Sequence, residues 1–177
     1  MKAIEKYCHI QVSGEDISSV ISGISASSLS RVLLAKYGLT DVQRGGLYPM
    51  ASYLRLLHDL EVKMPTVLKN IGKSIIDEAL FPPDVKSFEQ AMVVADQGYY
   101  MNHQGAKPDE IGHYAFEKKT SRHFVMTVDS PYPCLFDEGV ILGIARRFQA
   151  VISLRHGDDQ CRRKGSVRCL YDIDVKG

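Results

Sequence analysis

The nine residues Cys161-Arg162-Arg163-Lys164-Gly165-Ser166-Val167-Arg168-Cys169 put two of the chain's four cysteines at the ends of a basic turn near the C-terminus. Thiols so placed answer to three descriptions: ligands of a metal ion, halves of a disulfide, or buried small hydrophobes. Each implies a different architecture, so the neighbouring residues have to decide. After the turn, Val167, Cys169, Tyr171 and Ile173 alternate with Arg168, Leu170, Asp172 and Asp174, the period of a strand with one buried face. Before it, AVISLRH (150–156) reads as a partner strand, so the cysteines sit at the turn end of a hairpin. Upstream again, Cys134 opens a segment in which Phe136, Val140, Ile141, Ile144 and Phe148 form a helical stripe. Gly139 and Gly143 lie one turn apart on it. Their propensity cost of about 1 kcal/mol each is explained if the helix approaches a sheet or another helix closely.

Cys134, Cys161 and Cys169 thus lie at three element ends that one α+β unit can bring together. Zinc takes four ligands in a tetrahedron, with sulfur at about 2.3 Å. His156, Asp158 and Asp159, just before the turn, offer the fourth place, and spacing alone does not choose among them. Arg155, Arg162, Arg163 and Lys164 would favour the thiolate form; read without a metal, the basic cluster is a solvated turn. Cys8 is remote in sequence and reads as a core thiol.

Further out, residues 111–130 alternate as another hairpin around a polar turn at 118–122, with Tyr114 and Phe116 on one strand and Phe124, Met126 and Val128 on the other. After a short strand-like start, Tyr7 to Val12, the first hundred residues are mainly helical. Asp16 is a possible cap for a helix carrying Ile17, Val20, Ile21 and Ile24. Leu29, Val32, Leu33 and Tyr37 mark a second apolar face, stopped by Gly38. Met50, Tyr53, Leu54 and Leu57 follow Pro49. Leu68, Ile71, Ile75 and Ala79 end before Phe81-Pro82-Pro83. A capping box, Ser87 to Gln90, opens a helix with Phe88, Met92, Ala95 and Tyr99 inward. The predicted class is α+β: N-terminal helices (about 14–104) packed on an antiparallel sheet of about four strands, two hairpins separated by a helix, in a C-terminal half of about 108–176. The whole of 1–177 forms one domain.

Composition narrows the function. Hydrophobic residues at 45%, charged residues at 24% and a net charge of +1 give no excess of positive charge to hold a nucleic acid. No run of about 18 apolar residues could span a membrane, and the N-terminus has no signal-peptide pattern. These features predict a cytoplasmic protein, where paired cysteines serve metals more often than disulfides. No phosphate-binding glycine loop, nucleophile elbow or His-Glu-x-x-His motif is present, so no enzyme is expected.

Cys134, then Gly139 and Gly143 on a helix, then Asp158, Cys161, Gly165 and Cys169 resemble the C-terminal half of the 4-vinyl reductase domain family. That family includes the sensing domains of phenol- and xylene-responsive activators and is related in fold to trafficking-complex subunits. The resemblance implies a structural zinc held by Cys134, Cys161, Cys169 and an acidic residue three before Cys161, which here is Asp158 where the family usually has Glu; His156 is the alternative fourth ligand. It also implies a sensor or regulatory domain, a homodimer, binding a small apolar or aromatic molecule between sheet and helices. Tyr99, His103, His113, Phe116, His123 and Met126 are the residues expected to line that cavity. A ligand-free dimeric interaction module is the other reading this family offers.

The N-terminal half, with KYGL, GLYPMASYLRLLHDL, VLKNIGKSI and FPP, resembles more faintly the helical half of heme domains that sense nitric oxide or oxygen. That resemblance implies an axial ligand on the helix containing ADQGYYMNH, with Tyr99 near the expected place and His103 one turn later. A tyrosine-serine-arginine motif that clamps the heme propionates would fall on Val128, Ser130 and Tyr132, where only the serine is kept. Heme is therefore the secondary cofactor expectation and zinc the primary one.

Overall fold

The computed structural model describes residues 2–24, 27–157 and 159–176. The chain begins with a short helix α1 (Lys2–Glu5), strand β1 (Gln11–Ser13), and helices α2 (Gly14–Gly23) and α3 (Ser27–Lys36). The apolar stretch after residue 16 is thus two helices. Ser13 caps α2 by accepting from the Asp16 backbone N–H at 3.2 Å, so the cap lies three residues before the carboxylate expected to supply it. Strand β2 (Leu47–Pro49) leads into α4 (Met50–Lys63), and Pro65 opens α5 (Pro65–Glu78), a position where its missing N–H costs nothing. Ser87 and Gln90 form the expected capping box at the head of α6 (Phe88–Val93). The chain then breaks at Val94 and restarts as α7 (Ala95–Met101), so the single helix predicted through Tyr99 is a bent pair.

Strand β3 (His103–Gln104) joins β1 and β2 in a small sheet ordered β2-β1-β3. The C-terminal half holds β4 (Tyr114–Lys118), β5 (His123–Val128), α8 (Cys134–Arg147), β6 (Ile152–His156) and β7 (Cys169–Val175). These four strands form one antiparallel sheet in the order β4-β5-β7-β6, so the last strand lies inside it, paired with both β5 and β6. The predicted α+β arrangement of helices on a four-stranded antiparallel sheet is the one observed. Cys169, Tyr171 and Ile173 are buried as the alternation requires, whereas Val167 is 82% exposed. The reason is local: the strand starts only at Cys169, after a 3-10 turn (Arg162–Lys164) closed by Gly165 at φ +91°. Cys8, expected in the core, is exposed and meets Glu5 at 3.3 Å.

Helix α8 packs against α5 through glycines on both. A Cβ at Gly143 would lie 2.8 Å from the Lys73 carbonyl oxygen, and one at Gly139 would lie 2.9 Å from the Gly72 Cα. The close approach anticipated for these two glycines is therefore to a helix. Arg147 then reaches across to the carbonyls of Ile76 (2.6 Å) and Ala79 (2.8 Å), satisfying acceptors at the end of α5. This crossing joins the two apolar cores, one under α2, α4 and α5, the other between α8 and the sheet. Among the described residues, no helix is long and apolar enough to cross a membrane.

Candidate metal centre and cavity

Four element ends meet beside the sheet. Cys134 is the first residue of α8, His156 the last of β6, Cys161 immediately precedes the 3-10 turn, and Cys169 is the first of β7. Their donor atoms all lie within 4.8 Å of one another. Cys134 Sγ is 3.7 Å from Cys161 Sγ and 3.1 Å from Cys169 Sγ, too far for a covalent bond. A tetrahedron with metal–sulfur bonds of about 2.3 Å has sulfur–sulfur edges of about 3.8 Å, so small movements would complete one. All three cysteines are buried.

The imidazole supplies the test of fit. His156 Nδ1 faces Glu138 Oε1 at 3.3 Å, and Glu138 is itself held by Lys69 Nζ at 2.5 Å. His156 Nε2 is buried with no hydrogen-bond partner. A ring whose Nδ1–H is held by a carboxylate presents its Nε2 lone pair outward, which is the usual arrangement behind a metal-bound histidine. The ring also stacks on Tyr171 at 4.5 Å, and the Tyr171 hydroxyl donates to the Cys134 carbonyl at 3.0 Å. Electrostatics favour thiolate at one corner. The Cys134 thiol, His156 and the Arg162 donors all stabilise a charged Cys169 sulfur and hold its pKa far below the usual thiol range, while Cys134, as the donor, is raised. The Cys169 sulfur and the Glu138 carboxylate push His156 up to about 9, so a metal must displace the Nε2 proton before that lone pair is free. Three sulfurs and one imidazole nitrogen make a donor set that suits zinc.

Arg162 is not the solvated residue its basic neighbours suggested. Its Nε and backbone N–H donate to Cys169 Sγ at 3.2 and 3.3 Å, and its Nη1 donates to Ser130 Oγ at 3.3 Å. Its Nη2 pairs with the Asp137 carboxylate, which is fully buried. Tyr114 donates to the other oxygen of Asp137 at 2.6 Å. Burial pushes Asp137 up to about 7 even against the pull of Arg162.

On the far side of Tyr114 lies a cavity of about 610 Å³, bounded by α5, α7 and α8. Ile75, Ile76, Phe81, Phe136, Val140 and Ile144 make its apolar walls, and Tyr99, His103, Tyr114 and Tyr132 its polar end. His103 Nδ1 meets the Tyr99 carbonyl at 2.6 Å, so it carries the proton, and Nε2 accepts from the Tyr132 hydroxyl at 2.7 Å. Burial holds His103 down at about 4, neutral at physiological pH. Asp16, also on the lining and almost fully buried, is pushed up to about 7 by loss of solvent. Glu15 and Glu78 add two more carboxyl groups, and among the described residues lining the cavity none is Lys or Arg.

The structure places the sequence-derived site residues unevenly. Cys134, Cys161 and Cys169 converge, with His156 at the fourth corner; Asp158 lies outside the described residues. Tyr99 and His103 line the cavity, whereas His113, Phe116, His123 and Met126 stand off it. His113 is turned to Asp96 and Asp109, His123 to Asp174, and Phe116 stacks on Phe124. Met126 is packed in the core between sheet and α8. Asp16, Tyr114, Tyr132, Asp137 and Arg162 were not singled out as site residues. A buried acid three residues after a cysteine at a helix start was the one available signal, and only for Asp137.

No protein-family model and no curated protein matches the chain. Solved structures do. The chain is similar to an H-NOX protein from S. oneidensis in its Fe(II)NO ligation state, with 16% identity, TM-score 0.72, and 93% of this chain and 99% of that one covered. A mutant structure of the T. tengcongensis H-NOX aligns at 15% identity and TM-score 0.67 over 93% and 95% of the two chains. An oxygen-binding H-NOX domain related to soluble guanylate cyclases aligns at 15% identity and TM-score 0.62 over 93% of each. These likenesses reverse the weight of the two resemblances. The likeness in fold is to the gas-binding domains, over nearly the whole chain, and the 4-vinyl reductase family is not shown. The expectation of a receptor for a small apolar or aromatic molecule is overturned with it, because these neighbours carry nitric oxide or oxygen. A homodimer gains no support from them. The chain has the H-NOX fold.

Proposed function

We propose that the chain is a gas-sensing domain of the H-NOX kind, with His103 as the axial ligand of a heme in the cavity and zinc in the Cys134–His156–Cys161–Cys169 centre. One observation carries the reading: His103 is buried and neutral on the cavity wall, donating its Nδ1–H to the Tyr99 carbonyl, so that Nε2 bears the lone pair, which here accepts from the Tyr132 hydroxyl. A volume of about 610 Å³ with apolar walls suits a flat aromatic macrocycle. Heme, when bound, supplies an iron that takes a diatomic gas. The chain's own residues orient the imidazole through Tyr99, and Tyr132 must give up its bond to Nε2 for iron to be ligated. The residues suit the iron better than the propionates: Tyr132 stands where the resemblance expects an arginine, and the guanidinium that Ser130 meets comes from the cysteine loop.

Hemin titration tests the first half. One equivalent should shift and sharpen the Soret band relative to free hemin, and nitric oxide should move it further in the ferrous state; a band unchanged from free hemin throughout the titration would remove the heme reading. Elemental analysis tests the second, with about one zinc per chain expected and none in Cys169→Ser. A preparation that stays metal-free after refolding with zinc would contradict it.

A further inference from the structure

The bonds around Arg162 connect two places that the proposed function treats separately. Arg162 follows Cys161 directly and lies in the loop that any metal would pin against the start of α8. From there a continuous series of polar contacts leads inward: Cys169 Sγ to Arg162 Nε at 3.2 Å, Arg162 to the buried Asp137, and Asp137 Oδ1 to the Tyr114 hydroxyl at 2.6 Å. Tyr114 lines the cavity, its ring 5.0 Å from that of Tyr99, which in turn lies 4.5 Å from His103. Ser130 braces the middle, 3.3 Å from Arg162 and 3.5 Å from Asp137. A second route runs along α8: Cys134 is its first residue, and Phe136, Val140 and Ile144 on the same helix face the cavity.

We propose that the Cys134–His156–Cys161–Cys169 centre and the cavity are energetically linked through Arg162, Asp137 and Tyr114, so that metal in the one sets the order of the other's wall. This rests on the metal reading above. A bound ion fixes the position of Cys161 and therefore of Arg162. Arg162 is the cation paired with Asp137, and a fully buried carboxylate that loses its cation is held less firmly in place. Tyr114 then loses its fixed acceptor at the same time. With the ion gone, the Tyr114 wall and the α7 segment leaning on it open more often. Linkage is reciprocal, so whatever orders the cavity also tightens the metal.

Hydrogen–deuterium exchange read by mass spectrometry tests this without any cavity ligand. Zinc-loaded and chelator-treated protein are compared, with zinc content measured on the same samples. Segments 95–103 and 112–118, which hold none of the four residues of the zinc centre, should exchange about tenfold faster without zinc, within the range usual for coupled sites. Segments 11–13 and 47–49, in the distant small sheet, should not change. Arg162→Met should reproduce the fast exchange with zinc still bound, and Tyr114→Phe should do so for 95–103 without touching the cysteine loop. Faster exchange confined to residues near the four ligands would overturn the link and leave the metal reading intact. Faster exchange everywhere would also overturn it, since the ion would then be holding the whole fold. Absence of zinc from the untreated and the zinc-refolded protein would remove the metal reading and the link together.

Discussion

Replacing Arg162 by methionine removes the positive charge from a pair whose acid is fully buried, and the consequence can be worked from the structure. Asp137 loses its cation in a site with no solvent, and the Tyr114 and Ser130 hydroxyls that remain hold it less firmly. Removing one member of a buried pair costs about 3 to 5 kcal/mol. Asp137 can limit that cost by taking up a proton, because burial already holds its pKa up near about 7 with the arginine present. The penalty should therefore depend on pH. In the variant the folded carboxyl is raised further above its unfolded value, so stability is greatest at low pH and falls as pH rises towards the folded pKa. Urea unfolding of zinc-replete protein at pH 6 and pH 8 should show a larger loss at pH 8. Arg162 also touches Cys169, so the pair is isolated with a double-mutant cycle. Asp137→Asn and Arg162→Met together should cost less than the sum of the single changes by about 2 to 3 kcal/mol. A loss below about 1 kcal/mol, equal at both pH values, or strict additivity in the cycle, would refute the reasoning.

Other expectations follow from single contacts. Gly139→Ala should lower stability by about 2 to 3 kcal/mol in thermal unfolding, because its Cβ meets the α5 backbone, whereas Gly98→Ala, with open space around it, should be neutral or gain up to about 1 kcal/mol. Asp16 is raised to about 7 from 3.8, so it destabilises the fold as pH rises from about 4 to 7; Asp16→Asn should flatten that limb by up to about 4 kcal/mol, while the opposite effect of His103 is common to both proteins and cancels. The same carboxyl repels a propionate once ionised, so hemin affinity should fall by up to about tenfold per pH unit above pH 7 and less in Asp16→Asn, as measured by fluorescence quenching. Glu138→Gln should weaken zinc about 10-fold to 100-fold in chelator competition by loosening His156 without removing a ligand.

The sheet was legible from sequence because its strands obey a two-residue period: Tyr114, Phe124, Met126, Cys169, Tyr171 and Ile173 are buried as the alternation requires. Of the small sheet β2-β1-β3 only a strand-like start at Tyr7 to Val12, overlapping β1, was legible, since strands of two or three residues carry no period. The three cysteines were found because each marks the end of an element with a recognisable pattern. Arg162 favours the Cys169 thiolate as expected, but a run of Arg-Arg-Lys looks solvated, and only the fold reveals a buried Asp137 within reach of its first member. The four cavity residues that miss the cavity fail for a related reason. Alternation says which residues share a face of the β4–β5 hairpin, but the core of α8 and β7 occupies the inner face where a ligand was expected, and the open space lies further along, against α5 and α7. His103 is legible both as a cavity residue and as a ligand one turn beyond the expected place, but its bond to Tyr132, distant in sequence, is not.

The proposed gas-sensing role stands on His103 binding iron. Its most direct test is the absorption spectrum of the ferrous, hemin-reconstituted protein beside that of His103→Gly, each with and without added imidazole. The account predicts a Soret band shifted and sharpened relative to free heme for the wild type at one equivalent, loss of that shift in the glycine variant, and its return with imidazole. Identical spectra for the two proteins, or a band unchanged from free heme in both, would contradict it.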